Sequence, residues 1–104
     1  PAAYPVLDSI ATFLKTSSYM AFIDGHTDNL PPAARGQFSS NDELSFARAK
    51  AVLEYLIEKG GVPPEKLAAG AYGDRIPLGD NSTPAGRALN RRVEITLKPV
   101  KSDS

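Results

Sequence analysis

Four residues of this 104-residue chain sit where folding alone gives little reason for them. Asp28 belongs to "IDGHTDN" (residues 23–29), directly behind the apolar run "AFI", so what reads as a buried strand ends in a knot of polar groups. Arg48 falls inside a helical pattern, Asn41 at the start of that pattern, and Arg91 in "GRALNRR" just ahead of the last apolar alternation. A carboxylate and a guanidinium converging on one recess can recognise the ammonium and the carboxylate of an amino acid together, because both groups hang on one carbon. Charge-assisted hydrogen bonds of about 1.5–3 kcal/mol each suffice for weak, specific capture. The competing use of Asp28 and Arg48 is an internal salt bridge that locks a loop to a helix. Asn41 has two readings as well, a first-turn capping residue or a polar contact beside exposed helix N–H groups. Arg91 is expected to lean inward near the strand mouth, either toward the site or into a structural ion pair, while Arg87 and Arg92 are expected to be solvated. Thr27, next to Asp28, completes the candidate binding set.

The elements that must hold these residues can be read from periodicity. In "PVLDSIATFLK", Val6, Leu7, Ile10, Phe13 and Leu14 recur at spacings of three and four, predicting a helix with Pro5 in its first turn. "YMAFID" predicts a buried strand from Tyr19 to Asp24. Leu30 to Ser39, with two prolines and a glycine, predicts an exposed loop. Ser40 with Glu43 three residues on makes a capping box, and Gly60 and Gly61 close the helix that follows. On its wheel Leu44, Ala47, Ala51, Val52, Tyr55 and Leu56 share a face, with Arg48 in the middle. An unpaired buried guanidinium costs several kcal/mol, so Arg48 must be paired or reach a polar opening near the helix start.

Further on, "VPPEKL" predicts one helical turn and "LAAGAYG" a short strand. "DRIPLGDNSTPAG" predicts a long loop in which Thr83 and Pro84 start a helical turn. "RVEITL" alternates with Val93, Ile95 and Leu97 on one face, a half-buried strand, and residues 99–104 should form a flexible tail. This order implies one α/β (α+β) domain over residues 1–98, a two-layer sandwich with helices packed on one face of a mixed sheet.

Composition narrows the function. Twelve basic residues balance twelve acidic ones, so no global field draws in nucleic acid or an anionic membrane surface. The chain has no cysteine, which removes disulfides and thiolate chemistry, and a single histidine, which argues against a zinc hydrolase. His26, beside a glycine, reads as a loop residue bonding backbone groups. Asp24 and Asp28 do not form the opposed carboxylate pair of a glycosidase. No catalytic residue, metal ligand or cofactor is expected. No apolar stretch approaches the ~20 residues of a spanning helix, and the start at Pro1 suggests a piece of a longer protein.

Three motifs, "IDGHTDN", "SSNDELSFARAKAVLEYL" and "GDNSTPAGRALNRRVEITL", resemble in sequence and in order the peptidoglycan-binding domain of the outer-membrane protein A family. Peptidoglycan-associated lipoproteins and the flagellar stator protein MotB share that domain. The likeness covers roughly residues 19–98. It implies a non-enzymatic cell-wall anchor gripping the diaminopimelate of the peptide stem, with Asp28 accepting from the ammonium and Arg48 holding the carboxylate. Asn41 and Arg91 match the asparagine opening the second helix and the arginine of the "NRR" motif. The long connection "NLPPAARGQFSSN" is more similar to stator-type domains, although Asp42 stands where those often carry an aromatic. The resemblance further implies a homodimer in the periplasm and a parent anchored to the membrane by a segment outside this one, the inner membrane for a stator. The family usually has a strand ahead of the first helix, which this chain would lack.

Overall fold

The computed structural model describes residues 4–32 and 38–100. Helix α1 (Tyr4–Lys15) leads into strand β1 (Tyr19–His26), helix α2 (Asn41–Glu58), a single 3-10 turn (Pro64–Lys66) and strand β2 (Leu67–Ala71). Helix α3 (Pro84–Asn90) and strand β3 (Arg92–Pro99) complete the chain. The sheet has the order β2-β1-β3, with β1 parallel to β2 and antiparallel to β3. This is the expected mixed-sheet α+β architecture, and no strand precedes α1 among the described residues.

Alternation along β1 sends Ala21 and Ile23 to one face, where they are fully buried with Leu7, Ala11 and Leu14 of α1 and Ala49 and Leu56 of α2. Burying such side chains stabilises by ~1.5–3 kcal/mol each for the larger ones. Only part of the α1 stripe read from the sequence faces this core. Val6 and Phe13 are 61% and 41% exposed, because one helix resting on a three-stranded sheet buries a narrow seam.

Helix α2 is rotated from its apolar wheel. Its buried residues are Ser45, Ala49 and Leu56, with Val52 and Leu53 partly covered, while Ala51 is exposed. Small residues let the helix come close. A Cβ on Gly25 would lie 1.9 Å from the Ser45 carbonyl oxygen, so the helix sits on the backbone of β1 itself. Arg48 therefore belongs to the flank of the buried seam rather than to its centre. Ser40 caps α2 by accepting from the Glu43 N–H at 3.1 Å, but the Glu43 carboxylate turns to the Ser39 hydroxyl, leaving the capping box half formed.

Strand β1 runs two residues beyond the expected Asp24, because Gly25 pairs with Ala71 and Val93 and His26 pairs with Arg92. His26 thus ends a strand instead of lying in a loop. It is 2% exposed, stacks on Tyr72 at 5.3 Å between ring centroids, and has no hydrogen-bond partner on either ring nitrogen among the described residues. Burial, reinforced by the Arg92 guanidinium, holds its pKa below the ordinary 6.5 against the opposing pull of Glu94 and Asp24.

Helix α3 continues the expected turn into nearly two turns, capped by Thr83, which accepts from the Gly86 N–H at 3.0 Å. Its last residue, Asn90, is fully buried. The side-chain oxygen accepts from the Leu78 and Gly79 N–H groups at 2.6 and 2.8 Å, and the amide donates to the Gly79 carbonyl and Asn81 Oδ1. One side chain thereby ties the long loop to the start of β3. That strand continues through Pro99, and the Val100 N–H bonds the Ser18 carbonyl at 2.7 Å. Residues 101–104 of the expected tail and 33–37 of the expected loop lie outside the described residues.

Two outcomes follow from these buried polar groups. Asn90→Ala should lower unfolding free energy by ~2–4 kcal/mol, read as an earlier urea midpoint at unchanged slope. Because the folded state holds His26 neutral, stability should be complete above pH ~6.5 and fall as pH drops through the lowered folded-state value. His26→Phe, which keeps the ring against Tyr72, should remove that slope in urea titrations run across pH.

Candidate functional site

The turn after β1 is pinned from both sides. The Thr27 N–H donates to the Gly73 carbonyl at 2.8 Å, and the Gly73 N–H donates to Ser45 Oγ at 3.1 Å. Gly73 takes φ 56, a left-handed conformation open to glycine, so the turn after β2 can fold back onto α2. Ser45, invisible to a search for apolar residues, is in this way a joint between helix, turn and strand end. Thr27 is itself 3% exposed, and its hydroxyl donates to the Asp28 carbonyl at 2.8 Å.

Asp28 follows as a nearly buried carboxylate, its side chain 10% exposed. One oxygen accepts from the Leu30 N–H at 3.1 Å, and the other accepts from Arg91 Nη1 at 2.7 Å. The ion pair is therefore Asp28–Arg91, and not the Asp28–Arg48 salt bridge that stood as the alternative to ligand binding. Arg91 is the residue closing α3, its backbone N–H bonding the Arg87 carbonyl at 3.2 Å, and its side chain is 43% exposed. Exposure on that side limits the pair to the ~0–1 kcal/mol typical of surface ion pairs.

Arg92 reverses its expectation. Its side chain is only 13% exposed, donating to Glu94 at 2.6 Å and to the carbonyls of Ile76 and Asn90 at 3.0 and 3.4 Å. Of the two adjacent arginines, the one expected in solvent clamps the sheet, and the one expected inward stands at the opening. Neighbouring positions around a helix-to-strand junction do not follow strand alternation, and that is where the inference failed. Arg87 is half-buried and donates to the Asn81 carbonyl at 3.0 Å.

Among the described residues Arg48 has one hydrogen bond, Nη1 to the His26 carbonyl at 3.5 Å, and no carboxylate within 4.0 Å. It is a guanidinium with donors to spare. Asn41, the first residue of α2, donates to the carbonyls of Asp28 and Leu30 at 3.4 and 3.1 Å. Its Oδ1 is buried and without a hydrogen-bond partner among the described residues. An acceptor left open beside a helix N-terminus suits a ligand N–H or ammonium.

These residues share one recess of about 690 Å³, lined by Thr27, Asp28, Asn41, Arg48 and Arg91 together with an apolar wall. Leu30, Pro31, Pro32, Phe38 and Leu44 form the wall. The wall was missed in the sequence, where "LPP" and Phe38 read as loop and Leu44 as core. Two adjacent prolines followed by an aromatic were its available signal, since stiff apolar loop residues make good pocket sides. The arrangement can hold a small molecule with opposite charges at one end and an aliphatic stem.

Comparison with known proteins places this geometry in context. The chain is 40% identical over 98 residues to the peptidoglycan-binding protein ArfA of Mycobacterium bovis, covering 93% of this chain and 28% of the relative. It is 40% identical over 77 residues to motility protein B of Bacillus subtilis, covering 74% of this chain and 29% of the relative. Among solved structures, the C-terminal domain of Helicobacter pylori MotB superposes with a TM-score of 0.86 at 28% identity, covering 97% of this chain and 76% of that one. The chain spans less than half the length of these curated relatives. The family model described as the OmpA family matches residues 1–91, and the chain belongs to that family.

Proposed function

We propose that this domain is a non-covalent peptidoglycan anchor that captures the diaminopimelate of the peptide stem. The observation that carries the reading is the meeting of Asp28, Arg48, Asn41, Arg91 and Thr27, from three separate segments, on one open recess. Asp28 accepts from the ligand's ammonium on lone pairs not used by Arg91 and Leu30, and Arg48 donates to its carboxylate. Asn41 Oδ1 takes a further N–H, and the wall of Leu30, Pro31, Pro32, Phe38 and Leu44 covers the methylene stem. The relative named peptidoglycan-binding protein supports this assignment.

No pair of opposed carboxylates or metal-ligand cluster stands in the recess among the described residues, and the site's chemistry is that of a clasp. We read the domain as acting without bond cleavage. The similarity to MotB domains supports a stator-like parent in the periplasm, held by an inner-membrane segment outside this chain. An outer-membrane parent of the porin F kind is the alternative, since such proteins are 38–39% identical over nearly the whole chain. One recess gives weak capture, so anchoring depends on several domains, such as a homodimer, engaging the wall together.

Purified sacculi provide the test. The wild-type domain should co-sediment with them, leave their turbidity unchanged, and be released by free diaminopimelate. Arg48→Ala should weaken binding at least tenfold with little change in thermal midpoint, because among the described residues Arg48 makes a single long hydrogen bond. Asp28→Ala should also abolish sedimentation. Undiminished binding by Arg48→Ala would defeat the proposed site, and clearing of the suspension would defeat the binder reading.

A further inference from the structure

The recess carries more positive charge than a zwitterion can balance. Among the described residues that line it, Asp28 supplies one negative charge, while Arg48 and Arg91 supply one positive charge each. A ligand end with one ammonium and one carboxylate is neutral and leaves one guanidinium uncompensated beside an apolar wall. Partial desolvation there makes the imbalance more costly than it would be in open water.

The surplus can be located. Arg91 uses Nη1 on Asp28, and its Nε and Nη2 have no hydrogen-bond partner among the described residues. Its planar fork can therefore serve a second anion without leaving the first. Asp28, with each oxygen accepting once, keeps lone pairs for an ammonium, so Arg91 need not be expelled when a ligand enters. Arg48 remains for the carboxylate on the same carbon as that ammonium.

We infer that the recess prefers a ligand bearing one ammonium and two carboxylates, with Arg91 reading the second carboxylate. The inference rests on the reading of the site as a diaminopimelate clasp. Diaminopimelate has two carbon centres, each with an amine and a carboxyl group, and joins the stem through one amine. The carboxyl at the joined centre is free when the residue ends the stem, and is converted to an amide when the chain continues or the group is capped. The domain would thus favour stems that stop at this residue and carry no amide there.

Calorimetric titration with two soluble stem peptides tests this, both ending in diaminopimelate and differing only in whether the carboxyl at the joined centre is free or a primary amide. The wild-type domain should bind the free acid about tenfold more tightly, the effect of one charge-assisted hydrogen bond. Arg91→Gln should bind the two peptides within about twofold of each other, and Arg91→Lys, which keeps the charge, should retain a preference for the acid even if the glutamine variant folds poorly. Equal affinities in the wild type would overturn the inference and leave the clasp standing. A tenfold preference persisting in a folded Arg91→Gln would remove Arg91 from the role. Binding of neither peptide would overturn the inference together with the reading beneath it.

Discussion

The constraint on which the site depends is the contact between the backbone of β1 at Gly25 and the backbone of α2 at Ser45. Any side chain at position 25 would hold the helix away from the strand. With it absent, the start of α2 comes beside the end of β1, and Asn41 reaches the carbonyl of Asp28. Arg48 then emerges on the flank of the seam near the His26 carbonyl. The chemistry of the recess is thus set by a choice of small residues that carry no chemistry themselves.

Electrostatics divides labour among the arginines. Arg92, nearly buried, spends its donors on Glu94 and two carbonyls and holds β3 to the neighbouring loop. Arg91, half in solvent, steadies Asp28 without sealing it. Among the described residues Arg48 is committed least and retains most of its hydrogen-bond donors. A nearly buried carboxylate kept in place by a partly exposed partner is well suited to exchange, because the pair contributes little to stability and the donors around it are fixed by backbone. Rigidity comes from the Thr27–Gly73–Ser45 linkage, where main-chain groups do the positioning.

Much of this was legible in the residues. Apolar periodicity and the Ser40 and glycine signals placed α2 to within a residue, and the polar knot after "AFI" singled out Asp28. Arg48 was recognisable because a guanidinium amid apolar neighbours must go somewhere. What could not be read was pairing at distance. The salt bridge weighed as the alternative use of Asp28 is with Arg48, whereas the ion pair forms with Arg91 across 63 residues, because no local period links a helix terminus to a distant turn. The rotation of α2 was missed for a related reason: Ser45 is buried by contact with backbone, which hydrophobicity does not register. Asn90 and the apolar wall likewise reveal their roles only once the loop around them has closed.

That long separation has a temporal side. The central strand is made early in the chain, yet its antiparallel neighbour is the last element, with Tyr19 facing Pro99. Contacts so remote in order are late to form, since the intervening chain must first be gathered. A polypeptide emerging amino end first would carry Asp28 and Arg48 long before Arg91 arrived to steady the turn. Until the segment carrying Arg91 and β3 is in place, Asp28 lacks the ion-pair partner that the folded domain gives it.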